Sequence, residues 1–384
     1  MMSRAERTIA GEWWWTVDRW LLGALGLLTV AGIVLSLAAS PAVAERLGLG
    51  LFHFVNRQVF FALIAIPVLL TISFLSPRQV RRVALLAFIV GWVMLVSTLF
   101  FGAEIKGSRR WISILGITVQ PSELIKPAFV ILCAWLFSEG ARRRDVPGHL
   151  LAVLLLGLVV TPLILQPDFG QTLLVTTVWG ALFFLAGLGW MWVVGLTGAG
   201  AVGFLTAYTF IPHVAERINR FLDPESGDTY QVDRAIESFV SGGWFGKGPG
   251  EGTVKRVLPD SHTDFVFAVT GEEFGIIACL ALLSIFAFIV LRGLNRARRE
   301  EDLFVRFAVA GLSMLFGLQA LINMAVNVHL LPAKGMTLPF ISSGGSSLVS
   351  LSFGMGLLIA LTRDRPRAEL VAEEMAAQAE RSRR

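Results

Sequence analysis

From Leu150 to Leu165 the chain carries no charged residue at any position. Comparable apolar stretches recur along its whole length. We read ten of them, near residues 19–39, 56–75, 83–102, 122–139, 149–166, 170–189, 190–211, 265–292, 304–328 and 346–362. Each is close to the roughly 20 residues an α-helix needs to cross a hydrocarbon core of about 30 Å. Such segments must satisfy every backbone polar group internally, which leaves helices or closed barrels as solutions. The runs are continuous and do not alternate, which excludes the barrel pattern. The fold class is therefore all-α, a polytopic membrane protein with about ten transmembrane helices. With 55% hydrophobic and 16% charged residues, the composition agrees. Cys133 and Cys279 lie inside apolar runs and read as small core residues.

Leu21–Ala39, followed by Ala42-Val43-Ala44, imitates a cleavable leader. We read it as the first span, because it exceeds the roughly 7–15 apolar residues of a leader and Glu6, Glu12 and Asp18 precede it. Trp13, Trp14 and Trp15 read as an interfacial aromatic anchor. The clusters Arg78/Arg81/Arg82, Arg142/Arg143/Arg144, Arg292/Arg296/Arg298/Arg299 and Arg363/Arg365/Arg367 all fall on one side of this topology. That side is expected to be the cytoplasm, with both termini on it. Residues 1–364 then form one transmembrane domain that includes a long extracytoplasmic loop, 212–264, and residues 365–384 form a cytoplasmic tail.

Lys106, Arg109 and Arg110 break the charge bias by sitting on the translocated side. They are either tolerated surface charge or a grip for an anionic group such as a diphosphate. Ile112–Val119 reads as a short interfacial re-entrant piece, and Ala235–Val240 as a short helical piece within the long loop. Gly246–Gly252 imitates a nucleotide-binding glycine loop, but no strand leads into it and no Walker A sequence occurs in the chain. Neither ATP nor nucleic acid is expected as a partner.

Ionisable residues at membrane depth mark function or buried pairs. Here they are Arg57, Glu123, Lys126, Asp168, Glu272 and Glu273. Glu123 and Lys126, three apart, share a helix face and can pair. That pair is open to two readings, a helix-holding ion pair or part of a site. Gln319, Asn323 and Asn327 form a polar stripe that either glues helices or lines a cavity. Leu331–Ser347 is too rich in Pro and Gly for a regular helix, and it brings Lys334, Ser342 and Ser346, so it reads as a binding loop. Asp264 stands where the long polar loop runs into the eighth apolar stretch, and it is the leading candidate for chemistry.

Several segments together resemble the SEDS family (shape, elongation, division and sporulation), membrane glycosyltransferases that polymerise peptidoglycan from lipid II. They are Gly107-Ser108-Arg109-Arg110-Trp111, Gln120-Pro121-Ser122-Glu123-Leu124-Ile125-Lys126-Pro127, Gln166-Pro167-Asp168-Phe169-Gly170, Leu258–Val269, Glu272-Glu273-Phe274-Gly275 and Leu331–Ser347. The stretch from Ala235 to Arg256 is similar to the division branch more than to the elongation branch. His329, Ala333 and Ser343 depart from the family pattern.

The resemblance implies a SEDS-type fold in the bacterial inner membrane and a role in septal wall synthesis. It makes Asp264 the catalytic carboxylate and places Arg57, Arg109, Glu123, Lys126, Asp168 and Lys334 around a central outward-facing cavity; Lys106, His262, Ser342 and Ser346 join them as substrate-binding candidates from the residue reading itself. It also implies a class B penicillin-binding transpeptidase and other divisome membrane proteins as partners. A diphosphate leaves as an anion, so one base suffices where a glycosidase needs two carboxyls. Asp264 is expected to take the acceptor proton, with His262 as the rival base. Arg109, Lys334 and Arg57, or a divalent cation (Mg or Mn) held with Asp264, would stabilise the departing diphosphate. The competing functions are a lipid II flippase, an elongation-type polymerase and a scaffold without activity.

Overall fold

The computed structural model describes residues 8–105, 108–114, 116–143, 145–187, 190–210, 215, 219, 230–332 and 335–364. Lys106, Arg144, Lys334, most of residues 211–229 and the tail from 365 lie outside the described residues.

All ten expected spans are helices. A short α1 (Ile9–Thr16) precedes α2 (Arg19–Arg46), α3 (His53–Ser73), α4 (Pro77–Phe101), α5 (Pro121–Arg142), α6 (Gly148–Leu165), α7 (Phe169–Leu185) and α8 (Trp190–Phe210). Then come α9 (Tyr230–Gly242), α10 (Val266–Arg299), α11 (Leu303–Asn327) and α12 (Gly345–Leu361). Seven of these helices are long and apolar enough to cross a membrane by length and composition, while α7 and α12 are shorter at 17 residues. Helices α5 and α11 sit at the centre, and α12 packs along α3.

Local chemistry sets the ends. Ser76 and Gln79 form a capping box ahead of Pro77, and Asp18 accepts from the Trp20 and Leu21 amides to start α2. Arg292 donates from Nε to both Asp18 oxygens at 2.8 Å, and Arg296 grips Asp364 at 2.6 and 3.0 Å. Asp18 at the start of α2 and Asp364 after α12 thus meet on α10. Of the three tryptophans expected to anchor the interface, Trp13 is buried, donating to Ser73 Oγ at 2.9 Å, while Trp14 and Trp15 are exposed.

Two expectations change. The first concerns Ile112–Val119, read as an interfacial re-entrant piece. It belongs to an antiparallel sheet of β1 (Ala103–Ile105), β2 (Ser108–Ile114) and β3 (Ile117–Val119). Its isoleucines, Thr118 and Val119 favour strands, and Gly116 at φ 82° makes the turn. The short helical piece expected at Ala235–Val240 is present as part of α9, 13 residues long and packed on α10.

Glu272 and Glu273 do not lie within a continuous span. Helix α10 has 34 residues, about 51 Å, and breaks at Gly275 (φ 80°, ψ 178°). The apolar run Ile276–Leu291 follows the break, and the two glutamates precede it.

Candidate active site

The site assembles where α3, α5, α7, α10 and α12 begin and α11 ends. Asp264 sits just ahead of α10. The segment before it turns on Asp260 (φ 52°), whose carbonyl accepts from the Thr263, Asp264 and Phe265 amides at 3.0, 3.1 and 3.3 Å. The next three carbonyls are held from two places, the 331–344 loop and α11. His262 O accepts from the Ser343 amide at 2.9 Å, and Thr263 O accepts from Ser342 Oγ. Asp264 O accepts from both Asn323 Nδ2 and Asn327 Nδ2 at 2.9 Å.

Asn327 Oδ1 also accepts from the Ala268 amide at 3.0 Å, and Asn323 donates to Met336 O at 2.6 Å. The polar stripe of α11 is therefore the fastening that joins the Asp264 segment, the first turn of α10 and the 331–344 loop. Gly335, at φ 58°, brings that loop beside the carboxylate, since a Cβ there would lie 3.5 Å from Asp264 Oδ2. Ser342 proves to be a clamp buried in the loop, whereas Ser346 Oγ accepts from the Gln120 amide at 3.3 Å across to α5.

Glu123 and Lys126 form the expected pair, with Lys126 Nζ 2.9 Å from Glu123 Oε1 and both side chains nearly inaccessible. The pair is extended on every side. Lys126 donates to Gln319 Oε1 at 2.8 Å, and Gln171 donates to Glu123 Oε1 at 2.7 Å. Gln319 reaches Thr337 O at 3.3 Å, and Thr337 and Ser347 share a hydroxyl contact of 3.0 Å. A cavity of about 20 Å³, the size of one water, adjoins Glu123, Lys126 and Gln319.

Asp168 caps α7 and faces Arg110, at 3.6 Å. Burial pushes its carboxyl above the ordinary aspartate value, against the pull of the Arg110 guanidinium. Arg109 behaves differently: it is exposed and pairs with Glu104 across β1 and β2 at 3.3 Å. Adjacent strand residues point to opposite faces, so only one of the two arginines can turn inward. The inward one is Arg110, which the sequence reading mentioned but did not choose. A strand assignment for residues 108–114 would have shown the alternation.

His262 packs its ring 4.4 Å from that of Phe54. Burial drives its imidazole down to about 4, with Arg46 and Arg57 pushing the same way against Asp260. It is a neutral side chain at physiological pH. Arg57 is exposed at the start of α3, with its guanidinium carbon 5.8 Å from the Phe61 ring centroid.

Glu272 and Glu273 have structural partners. Glu272 accepts from the Thr253, Val254 and Lys255 amides at 2.6, 2.7 and 2.9 Å. Glu273 accepts from the Gly250 amide at 3.1 Å and pairs with buried Lys255. The glycine-rich loop fills the break in α10: the Ile276 and Ile277 amides donate to Gly243 O and Trp244 O at 2.9 and 3.3 Å, and the Lys247 and Gly248 amides donate back to Glu272 O and Glu273 O. A Cβ on Gly246 or Gly275 would collide with the opposing backbone. The glycines of this loop serve close packing. Among the described residues no three His, Cys, Asp or Glu side chains converge as a metal-binding set.

Residues 19–366 match the family model described as cell cycle protein, covering FtsW, RodA and SpoVE. The chain is 46% identical to a probable peptidoglycan glycosyltransferase FtsW of Caulobacter vibrioides, over 95% of this chain and 94% of the relative. It is 34% identical to the protein of that description in Hydrogenovibrio crunogenus, over 90% and 91%. Among solved structures it resembles a chain of a peptidoglycan synthase complex that coordinates polymerization and crosslinking, with TM-score 0.77, 28% identity and coverage of 91% and 99%. It also resembles the rod shape determining protein RodA of Thermus thermophilus, with TM-score 0.67, 27% identity and coverage of 92% and 99%.

Proposed function

The chain belongs to the FtsW/RodA/SpoVE family, and from that premise we propose how its residues carry out the family's reaction. It is a multi-pass membrane peptidoglycan glycosyltransferase of the division type. Lipid II is the substrate, and undecaprenyl diphosphate is the product released. In the proposed step the acceptor hydroxyl oxygen attacks the anomeric carbon of the donor. The carbon–oxygen bond to the diphosphate breaks, its electron pair leaves with the diphosphate, and the hydroxyl proton passes to Asp264. Attack opposite the leaving group inverts the anomeric centre.

The observation that supports this role for Asp264 is the clamp on the carbonyls of His262, Thr263 and Asp264. A base must be held within hydrogen-bond reach of the proton it takes, and a backbone fixed from a loop and from α11 provides that. His262, neutral beside it, is a packing neighbour. Arg57, Arg109, Lys106 and Lys334 are the candidates for the diphosphate. A divalent cation, Mg or Mn, would have Asp264 as its protein carboxylate and would draw its other ligands from diphosphate oxygens and water, adding charge stabilisation to the leaving group.

By the charge bias, the arginine-rich end lies in the cytoplasm and Asp264 on the outer side of the membrane; the likeness to division-type relatives supports the inner membrane at the septum as its location. A class B penicillin-binding transpeptidase is the proposed partner. This is supported by the likeness to a chain from a complex that coordinates polymerization with crosslinking.

The test is polymerisation of lipid II by the purified protein with and without the transpeptidase and divalent cations. Asp264→Asn keeps the shape and removes the base, so the rate should fall by about 10²–10⁴-fold while folding is retained. Wild-type polymerisation by this variant would overturn the assignment.

A further inference from the structure

Helix α9 and the loop that follows it present an apolar edge that the catalytic reading does not use. Val232, Ala235 and Ser238 face α10 and are buried, while Asp233, Arg234 and Glu237 form a polar face. Between them lie Ile236 and Val240, one turn apart on the same side, 39% and 78% exposed. Trp244 and Phe245 follow at the end of the helix, 64% and 83% exposed.

These two aromatics are not on a loose loop. The carbonyl of Trp244 accepts from the Ile277 amide, and that of Gly243 from the Ile276 amide. Their height is thereby fixed at the first turn of α10 after its break. Past the point where the loop is pinned, α10 itself carries exposed apolar side chains, Ile277 and Leu280 at 48% and 51%, on a helix long and apolar enough to cross a membrane. Trp and Phe rigidly placed where a polar segment meets the start of an apolar span occupy the position of an interfacial anchor.

We propose that Val240, Trp244 and Phe245 are seated in the headgroup and upper acyl region of the bilayer, and that this contact sets the height of the segment from Gly243 to Asp264. Glu272 and Glu273, just ahead of the break, hold residues 250–255 and accept on their carbonyls from the Lys247 and Gly248 amides, so the loop ties both pieces of α10 together and the anchor and Asp264 move as one body. Under the proposed function, which this last consequence alone assumes, the anchor keeps Asp264 level with the diphosphate of a lipid-linked donor.

The test uses nitroxide labels at Val240→Cys, Phe245→Cys and, as a polar-side control, exposed Glu251→Cys, in the full chain reconstituted into phosphatidylglycerol–phosphatidylethanolamine vesicles. Molecular oxygen concentrates in the bilayer and a nickel chelate in water. Labels at 240 and 245 should relax several-fold more with oxygen than with nickel, and the label at 251 should show the reverse. Labels at 240 and 245 as open to nickel as the one at 251 would overturn the anchor. Labels shielded from both agents would overturn it too, by showing protein instead of lipid on this edge. Trp244→Glu/Phe245→Glu should lower polymerisation several-fold in vesicles and leave it near wild type in detergent micelles, which adapt to any surface. Equal loss in both would reject the depth role. The accessibility result stands whether or not Asp264 proves to be the base.

Discussion

At the scale of single residues, the partners that hold the Asp264 segment set what each substitution there should cost. Asp264, His262 and the Glu123–Lys126 pair were legible as ionisable groups at membrane boundaries. Their partners were not, because the clamps on Asp264 come from Asn323 and Asn327, nearly 60 positions away or more, and from backbone atoms of a loop. Asn327 holds both Asp264 O and the Ala268 amide, and it is buried. Asn327→Ala should therefore cost about 1–3 kcal/mol of stability and lower kcat more than it raises KM, because the base loses its position while substrate contacts remain. Arg109 and Arg110 offer a sharper contrast. The exposed Arg109–Glu104 pair is worth about 0–1 kcal/mol, whereas removing Arg110 strands a buried Asp168. Arg110→Ala should lower the thermal midpoint clearly, and Arg109→Ala should barely change it.

His262 carries a pH signature. Its folded value near 4 lies below the unfolded value of about 6.5, so between them the unfolded chain binds the extra proton. Stability is then complete above about pH 6.5 and declines as pH falls toward 4. His262→Phe should flatten that decline in thermal melts, and an unchanged slope would assign the acid sensitivity to other groups.

At the scale of elements, apolar length located a helix in each of the ten runs, seven of them long and apolar enough to cross a membrane, because a bilayer-crossing helix is specified by a run of residues and little else. Elements defined by pairing were harder to see. The β2–β3 hairpin is a short apolar run that periodicity cannot separate from a helical piece. The break in α10 was hidden for a related reason: a glycine within an apolar run is compatible with a continuous helix until the loop that fills the gap is known. Dismissing Gly246–Gly252 as a nucleotide loop agreed with its packing role, but that role required the fold. Glu272 accepts three buried amides, so Glu272→Ala should destabilise by about 3 kcal/mol or more, with limited proteolysis opening first between Gly248 and Arg256. Cleavage elsewhere at unchanged rates within this loop would mean that Glu272 is not its fastening.

At the scale of the whole molecule, α5, α7, α11 and α12 converge on the Glu123–Lys126 network, which reaches through Gln319 and Thr337 to the loop beside Asp264. The sequence left open whether this pair fastens helices or serves the reaction, and the geometry allows the two to be separated. Breaking a buried pair by removing one partner costs about 3–5 kcal/mol, because the other charge is left uncompensated, whereas replacing both by neutral groups of similar volume is often tolerated. Lys126→Met should therefore lower the thermal midpoint strongly, and Glu123→Gln combined with Lys126→Met should recover most of the loss. Lipid II polymerisation by the stable double variant then decides. If the pair only fastens helices, activity returns with stability, because Asn323 and Asn327 still hold Asp264. If the charges also serve the substrate, the double variant folds and remains inactive, with Asp264 intact in a site that has lost its neighbouring ions.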